Sequence, residues 1–360
     1  MRLASVVLLV LAWVSAATAS ASASAYASAY ASGGASVRLR QTLPAVPTPP
    51  GQTPHSGNVI RAPDGLYYWY GDSYAGFVYN KPSRYAGVIV FRSADLRHWH
   101  GPYATFDAST QYWQTTCMGF PSDLNAGCFR SKVLFDSVTD RYVMWLSTPS
   151  GYRALTSRSP LGPFTVATVP DLYDAGIPGS RGQSCSDGGD ESLWSDASGS
   201  YVVFNRCGRL LLERLTPNML EGTGRPIQID DYPEIGPFYG AEAPSLFRGP
   251  TGTYWITFSL PACPYCQAAT GIEEAPTALG PWHYAGEISN TSGGGQPSQV
   301  SVLDGDLWLY SVDLWRQPPG WPDVSEAAAR QRWERLRFTT RGIRRLTEPS
   351  RFTVTLPTAS

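Results

Sequence analysis

The sequence is nearly without lysine. Of 28 basic residues only Lys81 and Lys132 are lysine, and 29 acidic residues bring the net charge to −1. A chain so balanced offers no electrostatic footprint for nucleic acid, and its preference for arginine over lysine reflects genomic base composition rather than a task. Charge is sparse as well, at 16% of residues against 12% aromatic, with abundant Gly and Pro, which favours an all-β fold over helical bundles. Helical periodicity is scarce too: the one credible stretch is 323–335, where Val324-Ser-Glu-Ala-Ala-Ala-Arg330 runs without a stop signal into the strand-like Trp333 to Phe338. The apolar run Leu3 to Val14 is too short for a membrane anchor, and no cysteine follows it to carry a lipid.

What that run does fit is a secretory signal peptide. It follows Met1-Arg2 and ends in Ala17-Thr18-Ala19, so residues 1–19 are expected to be removed on export. Residues 20–51 then read as a linker, an Ala/Ser/Tyr tract followed by the proline cluster that starts at Pro44. The folded domain is expected over 52–360, secreted, monomeric and free of the membrane. Six cysteines fall as close pairs, Cys117 with Cys128, Cys185 with Cys207, and Cys263 with Cys266, which in an exported chain predicts up to three disulfides. Zinc is the rival, but the C-x-x-C at 263–266 has no second such pair to complete a site.

One pattern recurs five times: an Asp- or Gly-containing turn followed by an aromatic-rich alternating strand. The copies begin their strands near Tyr67, Tyr142, Tyr201, Tyr254 and Leu307, at intervals of 75, 59, 53 and 53 residues. Each is followed by a second strand, three of which close on similar turns, at Trp99, Phe164 and Trp282. A small antiparallel sheet of this kind cannot bury both faces alone, whereas five packed around an axis can. The expectation is a five-bladed β-propeller.

In such a ring the residues just before each repeat converge on the axis, and here all five positions are polar or charged. They are His55-Ser-Gly-Asn58, Arg130-Ser-Lys132, Asp187-Gly-Gly-Asp190-Glu191, Glu242-Ala-Pro244 and Gln296-Pro-Ser-Gln299. Glu242 stands between alanines at the mouth of a sheet, where lost hydration raises a carboxyl pKa toward that of a general acid. Glu191 should point away from Asp190 and into solvent if the stretch is a strand. Tyr239, Trp315 and Trp321 are candidate sugar-stacking walls, with core packing the plainer use of an aromatic. Asp187 and Asp72 are reserve bases.

These pieces, with Tyr67-Tyr-Trp-Tyr-Gly71, Tyr142-Val-Met-Trp145 and Ser159-Pro-Leu-Gly-Pro-Phe164, resemble glycoside hydrolase family 43, and within it the exo-acting galactan 1,3-β-galactosidases, over about 54–338. The resemblance implies inverting hydrolysis of a galactose- or arabinose-containing polysaccharide, with Glu242 as general acid, Asp190 tuning its pKa, and Gln299 positioning the water in place of the aspartate base most of the family carries. Gln296 is the neighbouring alternative to Gln299. Substrate contacts fall to His55, Phe129, Arg130, Lys132, Tyr239, Gln296 and Trp315. No cofactor or catalytic metal is implied, a structural calcium or a water at the axis aside. One departure stands out: the branch has a glutamate where this chain has Phe129, and Ser131 replaces a proline. A non-catalytic glycan-binding propeller, or an arabinan hydrolase using Asp187 or Asp72 as base, are the rival readings.

Overall fold

Five small antiparallel sheets, each strand beside its sequence neighbour, form the body of the computed structural model. It describes residues 38–51, 53–75, 84–105, 129–148, 151–172, 189–206, 209–229, 240–261, 268–316 and 325–358, with the backbone alone at 74–75, 84–86, 261, 315–316 and 325–328. All six cysteines lie outside these residues, as do Asp187, Tyr239 and Trp321. The chain enters through β1 (Arg38–Pro44). Blade one is β2 (Val59–Arg61), β3 (Tyr67–Ala75), β4 (Arg84–Ser93) and β5 (His100–Ala104), and blade two is β6 (Phe129–Asp136), β7 (Arg141–Thr148), β8 (Gly151–Ser157) and β9 (Thr165–Thr168). Blade three follows with β10 (Glu191–Asp196), β11 (Gly199–Arg206), β12 (Arg209–Arg214) and β13 (Ile227–Ile229), and blade four with β14 (Glu242–Arg248), β15 (Tyr254–Pro261), β16 (Ala268–Ala275) and β17 (His283–Ser289). Blade five has three strands, β18 (Gln296–Leu303), β19 (Leu307–Arg316) and β20 (Ser325–Arg335). A short hairpin, β21 (Phe338–Thr339) with β22 (Gly342–Ile343), and β23 (Arg351–Pro357) complete the chain. The protein is a five-bladed β-propeller.

The apolar core is divided into five clusters, one at each seam between blades. Period-two alternation is the cause: in β3, Tyr68 and Tyr70 face blade two while Tyr67 and Trp69 face blade five. An inner strand therefore has a neighbouring blade on both faces and is buried along its length, whereas outer strands such as β5 and β17 alternate exposed and half-buried residues.

Two expectations need correction. From residue 325 on, the stretch 323–335 is strand; β20 pairs with β19 from Ser325 through Arg335, and no helix occurs among the described residues. Its alanine-rich start favours a helix only weakly, and a ladder that completes blade five outweighs that propensity. Ring closure uses β1, inside the stretch read as linker. β1 pairs with β23 from Arg38↔Pro357 to Pro44↔Arg351, and Trp333 N donates to Ala45 O at 2.6 Å. The ribbon then supplies Leu43, Phe352, Val354 and Leu356 to the seam between blades five and one.

Trp69 and Trp333 meet edge to face at 4.7 Å in that seam, with Trp99 5.4 Å from Trp69. Both Trp69 and Trp333 are fully buried. Trp69→Ala is expected to lower unfolding stability by about 3–5 kcal/mol, because the cavity opens where the ring closes. Urea unfolding measures it, and a loss under about 1 kcal/mol would mean that the seam collapses around the gap.

Candidate active site

The five inner strands begin on a common rung around the axis. His55 bridges Asp72, Phe129 pairs with Ser147, Asp190 O accepts from Asn205 N, Glu242 pairs with Ser259, and Gln296 pairs with Asp313. In blades two and four a bulge follows the first residue, and in blade five it falls between Pro297 and Gln299, so that in each the next residue on the same face is three positions on. Lys132, Ser245 and Gln299 occupy this second rung, with Asn58 and Ser192 beside the equivalent partners Tyr70 and Val203. Ser56, Arg130 and Ala243, each just after a first-rung residue, have left-handed backbones with φ of 54°, 62° and 51°. A carboxylate from the preceding blade holds each of them. Asp313 accepts from Ser56 N at 3.0 Å, Asp72 from Arg130 N at 3.1 Å, and Asp190 from Ala243 N at 2.8 Å. Close packing also fixes the glycine of His55-Ser-Gly, since a Cβ on Gly57 would sit 2.0 Å from Tyr70 O.

On the first rung, Glu242, Asp190 and Gln296 form one hydrogen-bonded cluster with the side chain of Arg130. Arg130 grips Asp190 with both arms of its guanidinium, Nε to Oδ1 and Nη2 to Oδ2, each at 2.9 Å. Nη2 also donates to Gln296 Oε1 at 3.0 Å, and Nη1 to Pro297 O at 3.3 Å. The amide of Gln296 then donates through Nε2 to Glu242 Oε2 at 2.9 Å. Glu242 itself is only partly exposed. Burial pushes its pKa up to about 7, the Asp190 charge pushes the same way, and Arg130 with the Gln296 hydrogen bond opposes both. The result is a carboxyl able to hold a proton near neutral pH, fixed at the mouth of the ring.

The second rung is a structural layer. Lys132, expected among the substrate contacts, is 1% exposed, and its ammonium donates to Ser56 O (2.6 Å), Gly57 O (3.0 Å) and Ser298 O (3.1 Å). It pins blades one, two and five together, and burial lowers its pKa to about 7. Gln299, expected to position water, accepts from Ser192 Oγ at 2.9 Å and so ties blade five to blade three below the mouth. Of the two glutamines, Gln296 is the one at the acid. Glu191 does turn away from Asp190, but not into solvent. The reverse face of an inner strand is a blade seam, and Glu191 is 1% exposed with its pKa driven well up by burial, partly offset by Lys132. Asp72 is fully buried and accepts from Arg130 N.

His55 is 3% exposed, and burial lowers its pKa to about 4 despite Asp313, so it is neutral at the axis. Phe129 stands half-buried on the first rung, where it turns one wall of the mouth apolar. Trp315 is placed by its backbone alone, near the end of β19. Among the described residues no three His, Cys, Asp or Glu side chains converge as a metal site would require. The three-residue spacing between the rungs was readable in His55/Asn58, Phe129/Lys132, Glu242/Ser245 and Gln296/Gln299, and it is the signal that separates mouth residues from the layer beneath.

Solved structures with this arrangement of blades include family 43 β-1,3-galactosidases and exo-β-1,3-galactanases. The chain has their fold. It matches a β-1,3-galactosidase solved with galactodeoxynojirimycin at a TM-score of 0.62 and 22% identity, covering 84% of this chain and 97% of that one. The exo-β-1,3-galactanase of Clostridium thermocellum matches at 0.63 and 20%, over 84% of this chain and 64% of its own. That of Phanerochaete chrysosporium, solved as a Glu-to-Ala variant with β-1,3-galactotriose, matches at 0.65 and 17%, over 89% and 70%. No family model and no curated protein matches the sequence.

Proposed function

We propose that the protein is an exported glycosidase that removes galactose from a β-1,3-linked galactan with inversion. The observation that carries this is the carboxyl of Glu242 at the mouth of the ring, with its pKa raised to about 7 beside an Asp190 locked by Arg130. The fold it shares with β-1,3-galactosidases supports galactose over arabinose. Glu242 protonates the glycosidic oxygen as the bond breaks, and Asp190 keeps that proton in place at neutral pH. Inversion also needs a water on the opposite face of the sugar, held by a group that in inverting enzymes stands about 6.5–9.5 Å from the acid. Gln296, 2.9 Å from Glu242 in the free protein, must turn from the acid as the sugar enters, with Arg130 still holding its carbonyl, to orient that water, whose proton leaves to bulk solvent as the new bond to C1 forms.

The test follows the anomer released from β-1,3-galactotriose by proton NMR. The α anomer is expected first, and first appearance of the β anomer, or no release at all, contradicts the reading. Gln296→Ala should lower kcat by about a hundredfold or more, as loss of a water-orienting group does. Gln299→Ala should instead lower the melting temperature through its lost tie to Ser192 and leave kcat within about tenfold.

A further inference from the structure

At the end of blade five away from the axial cluster, a groove of about 730 Å³ opens between the exit of β20 and the ribbon of β1 and β23. It lies on the other side of the ring from Glu242. β18 runs from Gln296 at the mouth down to Leu303, roughly 20 Å of strand, and of the groove residues Pro250 sits in the turn that follows β14 and Trp308 at the start of β19, just past the turn that follows β18. Four arginines line it, Arg40, Arg335, Arg337 and Arg351.

None of the four guanidinium groups meets a carboxylate within ion-pair distance among the described residues. The ion pairs there join Arg38 to Asp306, Arg61 to Asp304, His98 to Asp95 and Arg130 to Asp190. The groove's own acid is engaged elsewhere, since Glu334 accepts from Thr347 N (2.9 Å), Thr347 Oγ1 (3.0 Å) and Glu348 N (3.0 Å). Genomic composition explains arginine in place of lysine, but not this concentration: residues 325–358 hold eight arginines and three glutamates in a chain whose net charge is −1. Like charges gathered without partners repel, and an anion relieves them. Guanidinium forks match planar carboxylates two bonds at a time. Thr353 and Thr355 on the same wall offer hydroxyls to sugar oxygens.

We propose that this groove is a second glycan site, which holds a uronate-bearing segment of the polysaccharide whose neutral galactosyl linkages meet the axial cluster. The proposal rests on the glycosidase reading for its choice of a saccharide over other anions. Calorimetric titration tests it, with tetragalacturonate and its carboxyl-reduced counterpart as ligands, on the wild type, on Arg337→Ser/Arg351→Ser and on Glu242→Gln. Both arginines are exposed, so the double variant should keep its fold and its galactotriose turnover. Expected is tetragalacturonate binding in wild type and in Glu242→Gln alike, weakened at least about tenfold by the double substitution and by raising salt from about 50 to about 300 mM. The carboxyl-reduced tetramer should show no dependence on the two arginines. Tetragalacturonate affinity unchanged in the double variant overturns the proposal, as does tighter binding of inorganic phosphate or of a short DNA duplex than of tetragalacturonate. If galactotriose is not hydrolysed but the arginine-dependent binding persists, the hydrolase reading fails and the groove stands as a glycan site.

Discussion

Glu242→Gln should reduce kcat on β-1,3-galactotriose by about three orders of magnitude or more, with the substrate still bound. The amide keeps the size of the carboxyl and can keep a hydrogen bond to Gln296, but it has no proton to give to a leaving alkoxide. The same change should stabilise the fold above neutral pH. A carboxyl whose pKa is raised on folding binds more protons folded than unfolded between its ordinary value of 4.5 and about 7, so stability falls as pH rises through that window. Glutamine does not titrate, and the variant's melting temperature should exceed that of the wild type at pH 8 and approach it at pH 4. Stopped kinetics with an unchanged or higher melting temperature at pH 8 separates loss of the acid from loss of the fold. A variant that retains more than a tenth of wild-type kcat would remove Glu242 from the chemistry.

The second large effect is expected at Arg130, whose guanidinium is 5% exposed and joins Asp190, Gln296 and the main chain of blade five. Removing one partner of such a pair leaves the other charge poorly hydrated, and Arg130→Met should cost about 3 kcal/mol of stability. Arg130→Met/Asp190→Asn should recover part of that, because the amide that replaces the Asp190 carboxylate carries no charge to strand. Activity should suffer in a distinctive way. Arg130 is among the groups that lower the pKa of Glu242, so its loss should move the alkaline limb of the pH–rate profile upward while kcat falls. Denaturant unfolding of the two variants and of Asp190→Asn closes the cycle, and a coupling energy near zero would mean that the paired geometry adds nothing to folding.

How much of this was legible in the sequence varied with how local the cause was. The blades were legible because each carries its own turn and its own alternating aromatic strand, as in Asp64-Gly-Leu-Tyr-Tyr-Trp69, and these depend on nearest neighbours. Ring closure was not, since β1 and β23 pair residues more than 300 positions apart and neither has a distinctive pattern. The candidate acid and its charged neighbour were legible from their place ahead of a repeat. Their partner was harder. Gln296 and Gln299 are equally polar and lie on the same strand, and only the bulge between Pro297 and Gln299 places one at the mouth and the other beneath it. Glu191 shows the same limit from the other side. Alternation gave its direction correctly, but a propeller's inner strand has no solvent face, so the outward-turned side chain became buried against the Lys132 layer.

The central claim is that an axial hollow, rather than any single motif, gives Glu242 its chemistry. Carbon-13 NMR of the side-chain carboxyls, with Glu242 assigned by comparison with Glu242→Gln, measures it directly in the wild type and in Asp190→Asn. A titration near pH 7 in the wild type that moves clearly downward when the Asp190 charge is removed is the expected result. A midpoint near the ordinary 4.5 in both proteins would contradict the account.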